Sequence, residues 1–203
     1  MKKLLVSACV VLSLALSAAA DSPVTSTVFH KAYLDEPFIA LAQSAEGVLI
    51  PELQAYLISD APLELKMAVI NTLSWDIDGK TNAVLFWQFL QQEKGYQSKL
   101  AFLRTGHADE LLSMAYLLAM DDYFNVDTAI IFADAALEKN TSSYTANIIA
   151  AIIRAQEAMA HDWCAVYRLT NSVRENSSLE IDMRPEARTI IFEYMDLYRE
   201  FCD

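Results

Sequence analysis

Glycine and proline are scarce, four and five in 203 residues, and no stretch alternates apolar with polar side chains over the length of a strand. The first shortage leaves few sites for tight hairpin turns, and the second pattern excludes a half-buried sheet. No C-x-x-C occurs, no H-E-x-x-H and no G-x-S-x-G, so dithiol exchange, zinc proteolysis and the serine-hydrolase elbow all lack their sequence marks. The three histidines, His30, His107 and His161, are scattered. Neighbouring carboxylates such as Asp109 and Glu110 point in different directions around a helix, so they do not make the facing pair a glycosidase needs. No cofactor motif and no metal-ligand set emerges.

What is present begins at the N-terminus. Lys2 and Lys3 precede an apolar run over 4–16, and Ser17, Ala18, Ala19 and Ala20 follow it. That order reads as a secretory signal peptide over residues 1–20, cleaved before Asp21. The run is shorter than the roughly 20 residues of a membrane span, so a retained anchor is disfavoured. Val6-Ser-Ala-Cys9 has the look of a lipoprotein box, but the apolar segment ahead of Cys9 is too short for an export signal. The expected location is periplasmic or secreted. Loss of Lys2 and Lys3 leaves 13 basic against 27 acidic residues, a formal charge of −14. Nucleic acid and anionic lipid are therefore poor partners, and a basic protein is a favoured one. After cleavage the cysteines are Cys164 and Cys202, which in an oxidising compartment are expected to pair.

Apolar residues recur at three- and four-residue spacing almost throughout, which predicts an all-α chain. Helix punctuation places about ten short helices, at 35–45, 51–58, 60–74, 82–94, 98–104, 108–120, 127–139, 144–159, 162–175 and 185–201. Short turns between them imply an array of antiparallel hairpins in one domain, 35–203, preceded by a flexible segment, 21–34. The runs 111–120 and 146–153 are apolar nearly all round, as central helices are. If 162–175 and 185–201 are antiparallel partners, Cys164 and Cys202 lie side by side.

The segment NVDTAIIFADAALEK, 125–139, resembles the second helix of a tetratricopeptide repeat, with small residues Ala129, Ala133 and Ala136 ahead of Leu137. Ala115 occupies a small-residue position of the preceding helix, and Ala150, Ala165, Leu169, Ser172 and Val173 echo the pattern in a second unit. The resemblance covers 111–176, lacks the repeat-ending proline (Thr141 stands there) and has longer turns. With a HEAT-like helix at 62–74, it implies an α-α superhelix and a protein-binding role.

Residues 74–82, SWDIDGKTN, carry fragments of two ion-binding motifs. The phosphate-binding loop requires glycine where Ser74 stands, and the calcium loop requires acids where Ser74 and Leu85 stand, so both fail on spacing. What remains is an acidic turn beside an aromatic: Trp75, Asp76 and Asp78. A second turn, Asp121, Asp122, Tyr123 and Phe124, combines the same chemistry, in which aromatics anchor and carboxylates select a cationic surface. These seven residues are the candidate contact site. The sequence thus supports a helical protein-binding module, of an inhibitor or immunity type or an envelope scaffold. The alternative is a small envelope-acting hydrolase or lyase with its site between helical layers.

Overall fold

The computed structural model describes residues 22–202, and the leader and Cys9 lie outside them. The described chain is all-α: α1 Pro23–Ser26, α2 Pro37–Ser44, α3 Pro51–Leu57, α4 Leu63–Leu73, α5 Asn82–Lys94, α6 Lys99–Thr105, α7 Ala108–Asp121, α8 Asp127–Lys139, α9 Tyr144–Ala158, α10 Trp163–Glu175 and α11 Pro185–Met195. Two 3-10 turns, Phe29–Tyr33 and Asp196–Phe201, complete it. Proline pre-sets the first turn of α2, α3 and α11, where its missing N–H costs nothing. The Asp162 carboxylate caps α10 by accepting from the Ala165 amide at 3.0 Å.

Helices α7 and α9 are the centre. Most residues of both are buried, and between them they touch α1, α3, α4, α5, α8 and α10. This surrounds the two apolar runs on several sides, as their lack of a polar face requires. On α8 the small residues Ala129, Ala133 and Ala136 are buried, and α7 and α8 pack along their lengths. Ala165 is only half-buried and Ser172 is exposed, so the second unit reproduces the small-residue packing less fully.

Three departures from expectation bear on the site. Residues 22–34, expected as a flexible lead-in, form α1 and the Phe29–Tyr33 turn and bury Val24, Phe29 and Tyr33 completely. The cause is tertiary: Asn71 accepts from the His30 backbone amide at 3.0 Å and donates to the Thr27 carbonyl at 2.9 Å and the Tyr116 hydroxyl at 2.8 Å. Tyr33 donates to Glu64 at 2.6 Å beneath the Arg184 guanidinium, which also pairs with Asp35 at 2.6 Å and with Glu36.

Second, these contacts join the N-terminal turn to α11, and α4 also touches α9. In an open superhelix each unit meets only its neighbours. Here the Phe29–Tyr33 turn and α11, far apart in sequence, meet instead. Third, the final helix stops at Met195, and the Asp196–Phe201 turn packs on α10 more extensively than α11 does. That tighter turn buries Tyr198 and brings Cys202 to Cys164, with the disulfide closed at a Cα separation of 4.9 Å.

Candidate functional site: an acidic aromatic ridge

The two turns singled out in the sequence lie more than forty residues apart and form one structure. Helix α4 ends at Ser74, whose φ of 60° turns the chain sharply. The lysine of the GKT fragment then folds back. Lys80 Nζ donates to the carbonyls of Leu73 at 2.5 Å, Ser74 at 3.1 Å and Gly47 at 3.2 Å. A cation against the last carbonyls of a helix is favourable, and it leaves this ammonium committed to the backbone rather than to a phosphate. Burial holds the Lys80 pKa below its ordinary value, against the opposing pull of Asp121 and Asp76.

Between Ser74 and Lys80 the turn is internally bonded: the Asp76 carboxylate accepts from the Asp78 amide at 3.0 Å. The Lys80 amide donates to the Asp121 carbonyl at 3.0 Å, which seats the turn on the end of α7. Gly79 makes the seating feasible, because its φ is +79° and a Cβ there would stand 3.1 Å from the Asp121 carbonyl oxygen.

Asp121 is not a contact residue. It is 7% exposed, and its Oδ2 accepts from the Ala83 amide at 2.7 Å, capping α5 from another helix. Thr81, at the N-cap position itself, provides no side-chain cap. Oδ1 of Asp121 is buried without a hydrogen-bond partner among the described residues. Burial raises the Asp121 pKa, while the Ala83 and Asn82 amides and Lys80 oppose the rise. Tyr123 is likewise withdrawn, at 5% exposure. Its ring meets Trp75 edge-on at 5.2 Å and Phe124 at 4.3 Å, so it fills the space under the ridge.

The accessible remainder is Asp76, Asp78 and Asp122, the half-buried Trp75, and two apolar side chains held in water: Ile77, 56% exposed, and Phe124, 73% exposed. Ile77 was not among the sequence candidates. Its signal was available, an apolar residue inside an otherwise polar turn. Ile77 and Phe124 line one side of a groove of about 700 Å3 whose opposite side is Gln156, Met159 and Ala160 at the end of α9. Asp127 and Glu157 stand on the groove, and Glu157 faces His161 at 3.8 Å. Asp76, Asp78, Asp122 and Asp127 make no ion pair among the described residues.

A second charged cluster offers the best setting for catalysis. Lys66, on α4, is buried and pairs with Asp109 at 2.8 Å; Glu110, also buried, pairs with Lys94 at 3.1 Å and accepts from the Tyr96 hydroxyl at 3.0 Å. They border a cavity of about 430 Å3 with His107 and Asp60. Every buried charge in it has a counter-charge, which is what a structural ion-pair network requires. Among the described residues no three His, Cys, Asp or Glu side chains converge as a metal site, and no helix is long and apolar enough to cross a membrane. Comparison with protein-family models, with curated proteins and with solved structures finds no match. The functional reading therefore rests on geometry.

Proposed function

We propose that this chain is an exported, disulfide-pinned helical module that binds a basic segment of another protein along the ridge formed by residues 75–79 and 122–125. The observation that carries the reading is the grouping of exposed carboxylates without ion pairs, Asp76, Asp78 and Asp122, in the same two turns as solvent-held Ile77 and Phe124, which line a groove with Asp127. Apolar side chains kept in water at the edge of a groove are what a docking surface uses, and carboxylates around them select a cationic partner. An inhibitor of a basic toxin or cell-wall hydrolase, an immunity protein and an envelope scaffold are three forms of this role. The enzymatic alternative would use the Lys66 and Glu110 cavity. It is the weaker reading, because the buried charges there are already neutralised by each other.

The test uses a lysine- and leucine-rich peptide and periplasmic extract side by side. Trp75 is a half-buried member of the ridge and provides a fluorescence reporter. Peptide affinity should fall by roughly tenfold or more in Asp76→Lys/Asp78→Lys/Asp122→Lys, and should weaken steeply with salt. A protein captured from extract by the wild type should be absent from the Phe124→Ala and charge-reversed captures. Equal binding by all three forms would sink the ridge as the docking surface.

A further inference from the structure

A separate cavity of about 480 Å3 opens where the start of α9, the end of α10 and one face of α11 meet. Pro185, Arg188, Thr189 and Phe192 reach it from α11 at the three- and four-residue spacing of a single helix face. Tyr144 and Arg174 complete the walls, with Glu193 and Asp196 beside them.

The two arginines are in opposite states. Arg174 is saturated: it donates to Asp196 at 3.0 Å and to Asn171 at 2.9 Å, and its guanidinium lies 4.2 Å over the Phe192 ring. Arg188 has no hydrogen bond and no ion pair among the described residues, and its Nε is buried with no acceptor. The other cations outside ion pairs differ from it. Lys31, Lys99, Arg104, Lys139 and Arg199 are exposed to water, and Lys80 is held by three carbonyls. Arg188 alone among the described residues is a half-buried cation with neither a hydrogen bond nor an ion pair. A buried donor left unmet is costly, and in a chain of formal charge −12 carboxylates were not in short supply.

Arg188 sits 5.7 Å from the Tyr144 ring centroid, and the Tyr144 hydroxyl is also without a partner among the described residues. Burial raises the pKa of that hydroxyl despite the nearby Arg188 and Arg174 charges, so it stays a proton donor at neutral pH. The wall is braced. Asp182 accepts from Ser143 Oγ at 2.5 Å and from the Thr145 amide at 2.7 Å, and the Tyr144 amide donates to the Glu180 carbonyl at 3.0 Å. Both residues flanking Tyr144 are thereby fixed, which spares a ligand the cost of ordering it.

From this geometry we infer that the cavity is a binding site for a monocarboxylate with a planar apolar body. The carboxylate takes a bidentate bond from Arg188, whose guanidinium turns to offer Nε, and a third from the Tyr144 hydroxyl. The apolar body lies against Phe192 and Pro185. A dianion such as phosphate is disfavoured, because Glu193 and Asp196 share the cavity and repel a second negative charge. The carboxylate comes either from a free small acid or from the C-terminus of a peptide.

The experiment follows the Arg188 Nε–H signal in the wild type, and the backbone amide signals of Tyr144 and Thr189 in the wild type and every variant, by NMR of the intact protein. One arm titrates phenylacetate against neutral phenylacetamide; the other titrates Ala-Ala-Phe with a free against an amidated C-terminus. Each free acid that fits should give a saturable shift, with its neutral counterpart at least roughly tenfold weaker. The tighter of the two acids identifies the source. Arg188→Gln should abolish binding, and Arg188→Lys, which keeps charge but not the fork, should leave it weakened by about tenfold. Tyr144→Phe should weaken it severalfold while leaving the amide controls unchanged. Absence of a saturable shift with both acids overturns the site, as does affinity that the neutral analogues match or that Arg188→Gln retains with an unchanged backbone spectrum.

Discussion

The acidic ridge and the Arg188 cavity treat charge in opposite ways. At the ridge, carboxylates are surplus and the one nearby lysine is drawn under the surface by Leu73, Ser74 and Gly47 carbonyls. At the cavity, carboxylates are present, yet Asp196 is spent on Arg174 and Arg188 is left without one. The two also differ in shape. Ile77 and Phe124 project from the ridge into water, whereas Tyr144 is almost wholly covered. A projecting acidic edge suits a macromolecular partner, and a recessed cation suits a small group. The difference teaches that net charge, which pointed only to basic partners, matches the proposed contact at the ridge and gives no sign of the proposed carboxylate site at Arg188.

Removing the disulfide should separate the two most strongly. Cys164→Ala/Cys202→Ala opens a 38-residue span and should lower stability by about 3 to 4 kcal/mol on the chain-entropy account. The loss falls on α10 and the last turn, so carboxylate binding at Arg188 should weaken while peptide binding at the ridge persists at temperatures where the protein stays folded. Denaturant unfolding with parallel titrations checks this, and equal loss at both sites would show that they are mechanically one.

Asp121→Ala acts on the other side of the comparison. It strips the cap from α5 and should cost about 1 to 2 kcal/mol, with weaker peptide binding and no change at the cavity. Phe124→Ala is smaller still in stability, within about 0.5 kcal/mol for so exposed a residue, yet should reduce peptide affinity about tenfold. Calorimetry of the two variants distinguishes a residue that builds the ridge from one that uses it.

The least effect is a pH slope. Burial keeps the Asp121 pKa above the ordinary aspartate value of 3.8. The folded state therefore holds a proton that the unfolded chain releases, and this group's contribution to stability declines as pH rises from that value through the folded pKa. Asp121→Asn keeps an oxygen for the Ala83 amide and removes the slope. Its stability relative to wild type should be level at acid pH and should improve toward neutral. Urea midpoints across pH 3 to 7 read the difference, and a variant advantage that shrinks toward neutral pH would show that burial is not what dominates at Asp121.

Local signals made the helices legible. Proline at 37, 51 and 185, glycine at 95 and the Asp162 cap act within one turn, so nine helices lie within a few residues of their expected places and the tenth, α11, starts where expected but gives way at Met195 to a 3-10 turn. The segment 22–34 was misread because its order comes from Asn71, Glu64 and Arg184, far along the chain. Ser22 and Pro23 were a local clue, a cap with proline in the first turn. At the ridge the sequence supplied the right two turns but could not reveal that they join, nor that Asp121 and Tyr123 face inward. Those facts depend on the Ala83 amide and the Trp75 ring, contacts 38 and 48 positions away. Arg188 was invisible for a related reason: a cation's lack of a partner is a property of its surroundings and leaves no mark in the order of residues.

The Arg184 clasp has a consequence for the birth of the protein. Its backbone amide approaches the Tyr33 hydroxyl at 3.3 Å across 151 positions of sequence. A chain delivered N-terminus first presents Phe29 and Tyr33 to its surroundings long before their cover has emerged. Through that interval this segment is covered only in part, by α4 and α7, and its full closure awaits α11, a slow, non-local step open to aggregation. Residues 23–33 thus precede the helix that completes their cover by about 150 positions and are among the last to find their place, so a chaperone that holds extended apolar chain would have a substrate in them.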